Sequence, residues 1–307
     1  MPLLTIRHIT TYRYRQPVAF GEHRMMLRPR DFQDQRVVET TVQIRPEPIS
    51  LRSIQDAFGN HLMIARFSGR SQELCFDSIV CLEHLPQDPS EYHLEGAGPA
   101  AYSPSEMPDL ALYIERHDTD PENVVGTWVR QVIPSGGADS AFELFSQISQ
   151  GIKRGFRYRR REAKGIQQPA ETLRLGHGSC RDFALLLIEA ARSLGFAARF
   201  ASGYLAIPLD DLDDTRSSAR GSTHAWAQIY LPETGWINFD PTCGSVGNKD
   251  LVTVAVARDP RHTTPLHGTF VGLLSDHLGM DVRVRVTSDA SEKRWAAADP
   301  PPSLRPN

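Results

Sequence analysis

The sequence predicts an α+β protein, with an antiparallel, sandwich-like β domain over residues 1–95 and an α+β core over residues 120–287. Two observations predict it. The first part contains short runs in which apolar and polar residues alternate, separated by turn signals. After residue 120 the apolar spacing becomes helical, and strand patterns return only later. A hydrophobic fraction of 40% and a charged fraction of 23% are typical of a globular chain.

The N-terminal domain is predicted from four alternating runs, which end at glycine-containing turns. They cover Leu4–Arg15, Val37–Ile44, His61–Phe67 and Leu74–Leu85. Residues 96–119 begin with a segment rich in Gly, Pro, Ser and Ala, which predicts a linker.

Three helices and five strands are predicted in the core. The helices run from Asp120 to about Ile133, from Ser140 to about Gly155, and from Cys180 to Leu194, with Gly195 as the C-terminal cap. The strands cover Ala197–Ile207, Thr223–Leu231, Trp236–Asp240, Leu251–Ala257 and Asp281–Val286. Residues 288–307 are polar and proline-rich, and they are predicted to be disordered.

Charge and composition exclude several classes of partner. The net charge of −3 gives no attraction to nucleic acid or anionic lipid, and no apolar run approaches the roughly 18 residues of a membrane span. The N-terminus alternates like a strand, so no signal peptide is predicted. The four cysteines show no CxxC spacing, which favours a reducing, cytoplasmic location. The basic run Lys153 to Arg161 is interpreted as a solvated face or a contact for substrate carboxylates rather than a nucleic-acid site.

Cys180 is the first candidate for chemistry, because it lies where a glycine-containing segment enters a helix. A helix N-terminus favours an anion, and therefore the nucleophilic thiolate. Gly176 and Gly178 allow a sharp entry and a close approach of substrate. The backbone N–H of Cys180 is also a candidate donor to a developing oxyanion. The alternative is a small buried cysteine that only packs.

A base and an orienting carboxylate are found downstream, in His224 and Asp240. Strand alternation places them on one face only if Tyr230 pairs with Trp236, and we predict this register because a one-residue slip would put them on opposite faces. His224 is then diagonal to Asp240, within reach of a hydrogen bond. The order Cys180, His224, Asp240 predicts nucleophile, base and orienting acid.

Two weaker signals near these residues have a structural interpretation. His177 and Cys180 are three residues apart, but no second pair follows at ligand spacing, so no metal site and no cofactor are predicted. Cys243 would be near the site in the predicted register, and it is interpreted as a packed small residue.

Three segments resemble a known family. GHGSCRDFALLLIEAARSLGFAARFASGYL and THAWAQIYLPETGWINFDPT, with their spacing, resemble the core of bacterial transglutaminase-like proteins, in the papain-like cysteine hydrolase and acyltransferase superfamily. LTIRHITTYRYRQPVAFGEHRMMLRPR resembles the β-rich domain found beside this core. The segment Val254–Gly272 resembles its usual continuation. Asp182 also matches the family pattern and is interpreted as a helix-stabilising acid, whereas Arg181 stands where relatives often have glutamine.

The resemblance implies a papain-like core in which Cys180 is the nucleophile, His224 the general base and then acid, and Asp240 the orienting residue. It implies acyl transfer on an amide of a peptide or protein through a thioester, and it makes Tyr158 a candidate for lining the acyl site. We expect hydrolysis as the default outcome, because the sequence shows no feature that would exclude water from the acyl-enzyme. Two alternatives stay open: amine transfer by a cross-linking transglutaminase, and a non-catalytic interaction protein with a relic triad. The substrate and the oligomeric state are not predicted.

Overall fold

The computed structural model describes residues 3–86, 102–116, 120–133, 137–159, 165–205, 222–232 and 234–288. The predicted tail after residue 288, the boundary at residue 95 and the start of the linker lie outside these residues. The chain divides into two compact units. The first comprises Met1–Leu85, Tyr204–Thr223 and Leu266–Asn307, and the second comprises Pro86–Gly203 and His224–Pro265.

The strands are, in chain order, β1 Leu3–Met25, β2 Gln35–Arg45, β3 Ser50–Gln55, β4 His61–Arg66, β5 Ser71–His84, β6 Arg157–Tyr158, β7 His177–Gly178, β8 Ala198–Leu205, β9 Ser222–Leu231, β10 Gly235–Asp240, β11 Ser245–Val246, β12 Leu251–Ala257, β13 Leu266–Val271 and β14 His277–Ser288. The helices are α1 Met107–Ile114, α2 Val124–Val132, α3 Ala141–Gly155, α4 Pro169–Leu175 and α5 Cys180–Ser193. Short 3₁₀ turns cover Pro260–Thr263 and Leu274–Asp276.

The first unit is an antiparallel sheet organised by the long strand β1. The N-terminal part of β1 pairs with β5 on one side and β14 on the other, so that Ile6 lies opposite both Val80 and Val286. Its C-terminal part pairs with β4 and β13. Alternate side chains of β1 are buried, as the period-2 pattern predicts. One long strand therefore contributes to both parts of the sheet.

The last two strands belong to a different unit from the one that the sequence predicts. The prediction places residues 266–287 in the core, whereas β13 and β14 pair with β1 and extend the sheet of the first unit. The reason is that β1 is 23 residues long and offers both of its edges to partners. The pairing brings together residues more than 240 positions apart, which local periodicity does not encode.

The second unit packs helices on a five-stranded sheet with the order β11-β10-β9-β8-β12. Helices α3 and α5 share one apolar cluster with these strands, in which Phe145, Leu187, Phe200 and Phe239 are fully buried. Every residue of α5 from Asp182 to Arg192 is buried. The nucleophile candidate therefore begins the central helix of this unit.

One predicted helix and the predicted linker differ in the structure. The helix predicted from Asp120 begins at Val124, because the Asp120 carboxylate accepts the backbone N–H groups of Val124 and Val125. The predicted linker contains α1, whose Leu110 is buried. None of the helices in the described ranges has the length and apolarity needed to span a membrane.

Candidate active site

Cys180 is the first residue of α5, and its side chain is half-buried. The N–H groups of a first helical turn have no partner within the helix, so they favour an anion at this position. Cys180 also packs against the apolar cluster of the unit. The thiol therefore combines a polar helix end with an apolar side.

Asp182 holds the entry to this helix in place. Its carboxylate is fully buried and accepts the backbone N–H of Ser179 at 2.8 Å, the hydroxyl of Ser179 at 2.8 Å and the backbone N–H of Gln167 at 2.7 Å. The helix-stabilising interpretation of Asp182 is therefore confirmed. The bond to Gln167 ties a preceding loop to the first turn of α5, and sequence reasoning missed this contact.

The two glycines before Cys180 are required for different physical reasons. Gly176 ends α4 with a left-handed φ of 66°, which favours glycine. At Gly178, a Cβ atom would lie 2.9 Å from the Cβ of Asp182 and 3.1 Å from the ring of Phe183. Gly178 thus lets the strand β7 pass close to the first turn of α5.

His224 and Asp240 meet as the predicted register requires. Tyr230 pairs with Trp236, and the ladder continues to Ala227 opposite Phe239, so the predicted pairing is confirmed. The Nε2–H group of His224 donates to Oδ2 of Asp240 at 2.7 Å. Asp240 is fully buried and His224 nearly so. This leaves Nδ1 of the imidazole as the nitrogen available to a thiol.

The turn after β10 fixes the other carboxylate oxygen of Asp240. Oδ1 accepts the backbone N–H of Thr242 at 2.9 Å and that of Cys243 at 3.3 Å. An aspartate before proline commonly forms such a turn through its side chain. Here the turn holds the carboxylate in one orientation against the imidazole.

The electrostatics of the pair favour a charged imidazole. Burial alone would lower the pKa of His224, but hydrogen bonds to Asp240, Cys180 and Cys243 outweigh burial and raise that pKa well above its usual value of 6.5. Burial raises the pKa of Asp240, yet the hydrogen bond and charge of His224 and the two backbone donors bring it below its usual 3.8. The arrangement therefore stabilises the imidazolium that forms when Nδ1 accepts a proton from a neighbouring thiol.

A polar network on the same face of β9 and β10 continues from His224. The indole N–H of Trp226 and the side-chain amide of Gln228 both donate to Oδ1 of Asn238, at 2.7 and 2.8 Å. Trp226 is fully buried and stacks on His224 with ring centroids 6.2 Å apart. These contacts restrict the rotation of the imidazole.

Cys243 lies closer to the site than its interpretation as a packing residue implied. Its side chain is half-buried and its thiol contacts His224. Possible ligand atoms of His224, Asp240 and Cys243 all lie within 4.8 Å of one another, which makes them a possible metal-binding group in the described part of the chain. His177, whose spacing from Cys180 was weighed above as a metal-ligand signal, does not belong to this group. In the sequence, the signal for this position was that Cys243 follows Asp240 by only three residues.

Two weaker candidates are at the surface. Tyr158, proposed from resemblance as part of the acyl site, is 53% exposed and meets Phe183 at a centroid distance of 6.5 Å. Lys153 and Arg154 of the basic run are exposed at the end of α3, as expected for a solvated face. Arg160 and Arg161 lie outside the described residues.

The sequence matches two family descriptions. Residues 4–82 match the bacterial transglutaminase-like N-terminal region, and residues 127–241 match the transglutaminase-like superfamily. The second match includes Cys180, His224 and Asp240.

The chain is also similar to individual proteins from three organisms. An uncharacterized protein of Mycobacterium leprae is 26% identical over 291 residues, covering 92% of this chain and 98% of its own length. The uncharacterized protein YebA of Bacillus subtilis is 31% identical over 71 residues, which are 22% of this chain and 10% of YebA. A crystal structure from Cytophaga hutchinsonii, named as a putative cysteine protease, is 17% identical with a TM-score of 0.65, over 94% of this chain and 90% of that one.

The similarity to the Cytophaga structure is one of fold and extends through both units. The 94% of this chain that the similarity covers is enough to include most of both family matches, at residues 4–82 and 127–241. By these matches the chain has a bacterial transglutaminase-like N-terminal region at residues 4–82, followed by a transglutaminase-like core at residues 127–241.

Proposed function

We propose that this protein is a cysteine-dependent hydrolase that cleaves an amide bond of a peptide or protein through a thioester acyl-enzyme. The observation that carries the proposal is the 2.7 Å bond between His224 and Asp240, formed beside a thiol at the first position of a helix. A nucleophile, a base and a residue that orients the base are the parts that acyl transfer requires.

Cys180 and His224 carry out the bond-making and proton-transfer steps of the proposed reaction. Nδ1 of His224 takes the proton of Cys180, and the thiolate attacks the amide carbonyl carbon. The imidazolium then gives its proton to the leaving nitrogen as the C–N bond breaks, and ammonia or an amine departs. Water, deprotonated by His224, attacks the thioester, and Cys180 leaves as a thiolate that is reprotonated.

Asp240 acts through His224. By accepting the Nε2–H bond, it keeps Nδ1 free of a proton in the neutral imidazole, and it stabilises the imidazolium that forms. The backbone N–H of Cys180 is placed at the helix N-terminus, where it can donate to the developing oxyanion.

The first test does not require a known substrate. The wild-type protein is treated briefly with substoichiometric iodoacetamide between pH 6 and 8, and the labelled site is identified by intact-protein and peptide mass spectrometry. We expect alkylation of Cys180 in preference to Cys75, Cys81 and Cys243, and loss of this preference in His224→Ala. Uniform labelling of the four thiols in the wild type would contradict an activated pair and favour the non-catalytic alternative.

The second test separates water from an amine as acceptor. A pool of glutamine-containing peptides is incubated with the enzyme and a labelled primary amine, and released ammonia is compared with incorporated label. We expect cleavage or deamidation by water, no turnover by Cys180→Ala, and little incorporated label. Stoichiometric incorporation of the amine would replace hydrolysis by the transglutaminase alternative.

A further inference from the structure

A group of three possible metal ligands surrounds the base of the site. One nitrogen of His224, one carboxylate oxygen of Asp240 and the thiol sulfur of Cys243 lie within 4.8 Å of one another. His224 and Asp240 are buried, and Cys243 is half-buried. The proposed acyl transfer uses the first two residues and has no task for Cys243.

The chemistry of this set matches one class of ion. Nitrogen, sulfur and oxygen ligands in a three-residue set are typical of Zn²⁺, whereas Mg²⁺ and Ca²⁺ take oxygen ligands. With bonds of about 2.0–2.3 Å, tetrahedral ligand atoms lie roughly 3.3–3.8 Å apart. The closest pair, Nε2 of His224 and Oδ2 of Asp240, is at 2.7 Å, and the widest separation is within 4.8 Å. Shifts of about an ångström would convert the hydrogen-bonded cluster into a coordination site.

The backbone already brings two of these ligands together. The N–H of Cys243 donates to Asp240 at 3.3 Å, and the N–H of Gly244 donates to the carbonyl of Asp240 at 2.7 Å, which closes the turn. The third ligand, His224, is held against Trp226. Little conformational freedom is lost when such a set binds an ion, which favours affinity.

We propose that His224, Asp240 and Cys243 form an inhibitory Zn²⁺ site, with a solvent molecule as fourth ligand. On binding, the thiol of Cys243 releases its proton to solvent, and so does a protonated ligand nitrogen, because the metal takes the deprotonated forms. No electron is transferred. The ion occupies the imidazole and the carboxylate that the proposed acyl transfer needs, so its inhibitory effect rests on that function, whereas its binding does not.

The binding test uses the full-length protein, a non-chelating reductant, and Zn²⁺ and Co²⁺ as probes. Zn²⁺ affinity is measured by titration calorimetry, and thiolate ligation by the sulfur-to-Co²⁺ charge-transfer absorption. Wild type, Cys180→Ala and the control Cys81→Ala, whose thiol belongs to the other unit, are expected to bind one ion with similar affinity. Cys243→Ala is expected to bind at least ~10-fold more weakly, since even outer-shell changes alter metal affinity by this much.

Cys243→Ser serves as a second variant of similar size, and the unfolding temperature of each variant shows whether it folds. Equal Zn²⁺ affinity of wild type and folded Cys243→Ala would overturn the site. Loss of the Co²⁺–thiolate absorption in Cys180→Ala but not in Cys243→Ala would also overturn it, because the nucleophile would then be the sulfur ligand.

The inhibition test follows alkylation of Cys180 in wild type as Zn²⁺ is added. We expect a saturable loss of the alkylation rate that EDTA restores and that needs at least ~10-fold more Zn²⁺ in Cys243→Ala. Full alkylation by a Zn²⁺-loaded protein would refute inhibition. If Cys180→Ala binds Zn²⁺ through Cys243 while wild type turns over no amide, the proposed function fails and the metal site stands. If wild type turns over an amide while Cys243 does not contribute to Zn²⁺ binding, the metal site fails and the proposed function stands.

Discussion

Replacing Asp240 by asparagine is expected to slow the reaction of Cys180 far more than the similar size of the side chains suggests. Oδ1 of Asp240 accepts two backbone N–H groups, from Thr242 and Cys243. In Asp240→Asn the same donors hold the amide oxygen in that position, because a flipped amide would place its NH₂ group against them. The NH₂ group then faces Nε2 of His224, so Nε2 must accept and Nδ1 must carry the proton.

The magnitude follows from the bond that is lost. A hydrogen bond to a charged group contributes about 1.5–3 kcal/mol, and the 2.7 Å bond in a buried site lies in that class. The thiolate–imidazolium pair of Cys180 and His224 is disfavoured by the same amount. With tenfold per 1.4 kcal/mol, we expect alkylation of Cys180 at neutral pH to slow by about 10- to 150-fold.

The assay is the second-order rate of iodoacetamide alkylation at Cys180, followed by intact mass, with unfolding temperature as a check of the fold. Asp77→Asn is the matched control: Asp77 is also a buried, ion-paired carboxylate, held by Arg7 at 2.7 and 2.9 Å in the other unit. It should lower stability and leave the alkylation rate within about twofold. A rate for folded Asp240→Asn within threefold of wild type would refute the orientation argument.

Three further predictions concern stability. The pKa of His224 is raised above 6.5 in the folded protein, and the pKa of Asp240 is lowered below 3.8. The ion pair therefore stabilises the fold fully between pH 3.8 and 6.5. This stabilisation is lost as the pH rises through the raised pKa of His224, or as it falls through the lowered pKa of Asp240. The difference in unfolding temperature between wild type and Asp240→Asn should therefore be largest in that window, and a difference growing above pH 8 would contradict it. Asp182→Ala removes the acceptor of two backbone N–H groups, those of Gln167 and Ser179, and should lower the free energy of unfolding in urea by about 2–4 kcal/mol. A loss below about 0.5 kcal/mol would show that other acceptors replace the carboxylate. Gly203→Ala should lower the free energy of unfolding by about 1–3 kcal/mol, because the added Cβ would meet the carbonyl oxygen of Val252. An unchanged midpoint of urea unfolding would contradict this and would mean that the two strands move apart at no cost.

The sequence alone was enough to locate the elements that carry the candidate site. The apolar spacing after Cys180 predicted a helix beginning at that residue, and α5 begins there. Strand alternation puts His224 and Asp240 on one face only if Tyr230 pairs with Trp236, and this predicted register is the one observed. Both are local rules: a helix face repeats every 3.6 residues and a strand face every two, so short stretches are informative. The catalytic tasks of the three residues remain a prediction.

Other features depended on tertiary contacts between distant segments. Strands β13 and β14 look like any alternating segment, and only the two available edges of β1 decided that they extend the first sheet. Asp182 was recognisable as a first-turn acid, but its bond to Gln167 depends on a loop that passes the helix. Cys243 sits beside His224 because the carboxylate of Asp240 gathers the backbone N–H groups of the following turn. Periodicity assigns a residue to a face, whereas its neighbours across the sheet and along the turn are chosen by packing and hydrogen bonding, which exist only in the folded chain.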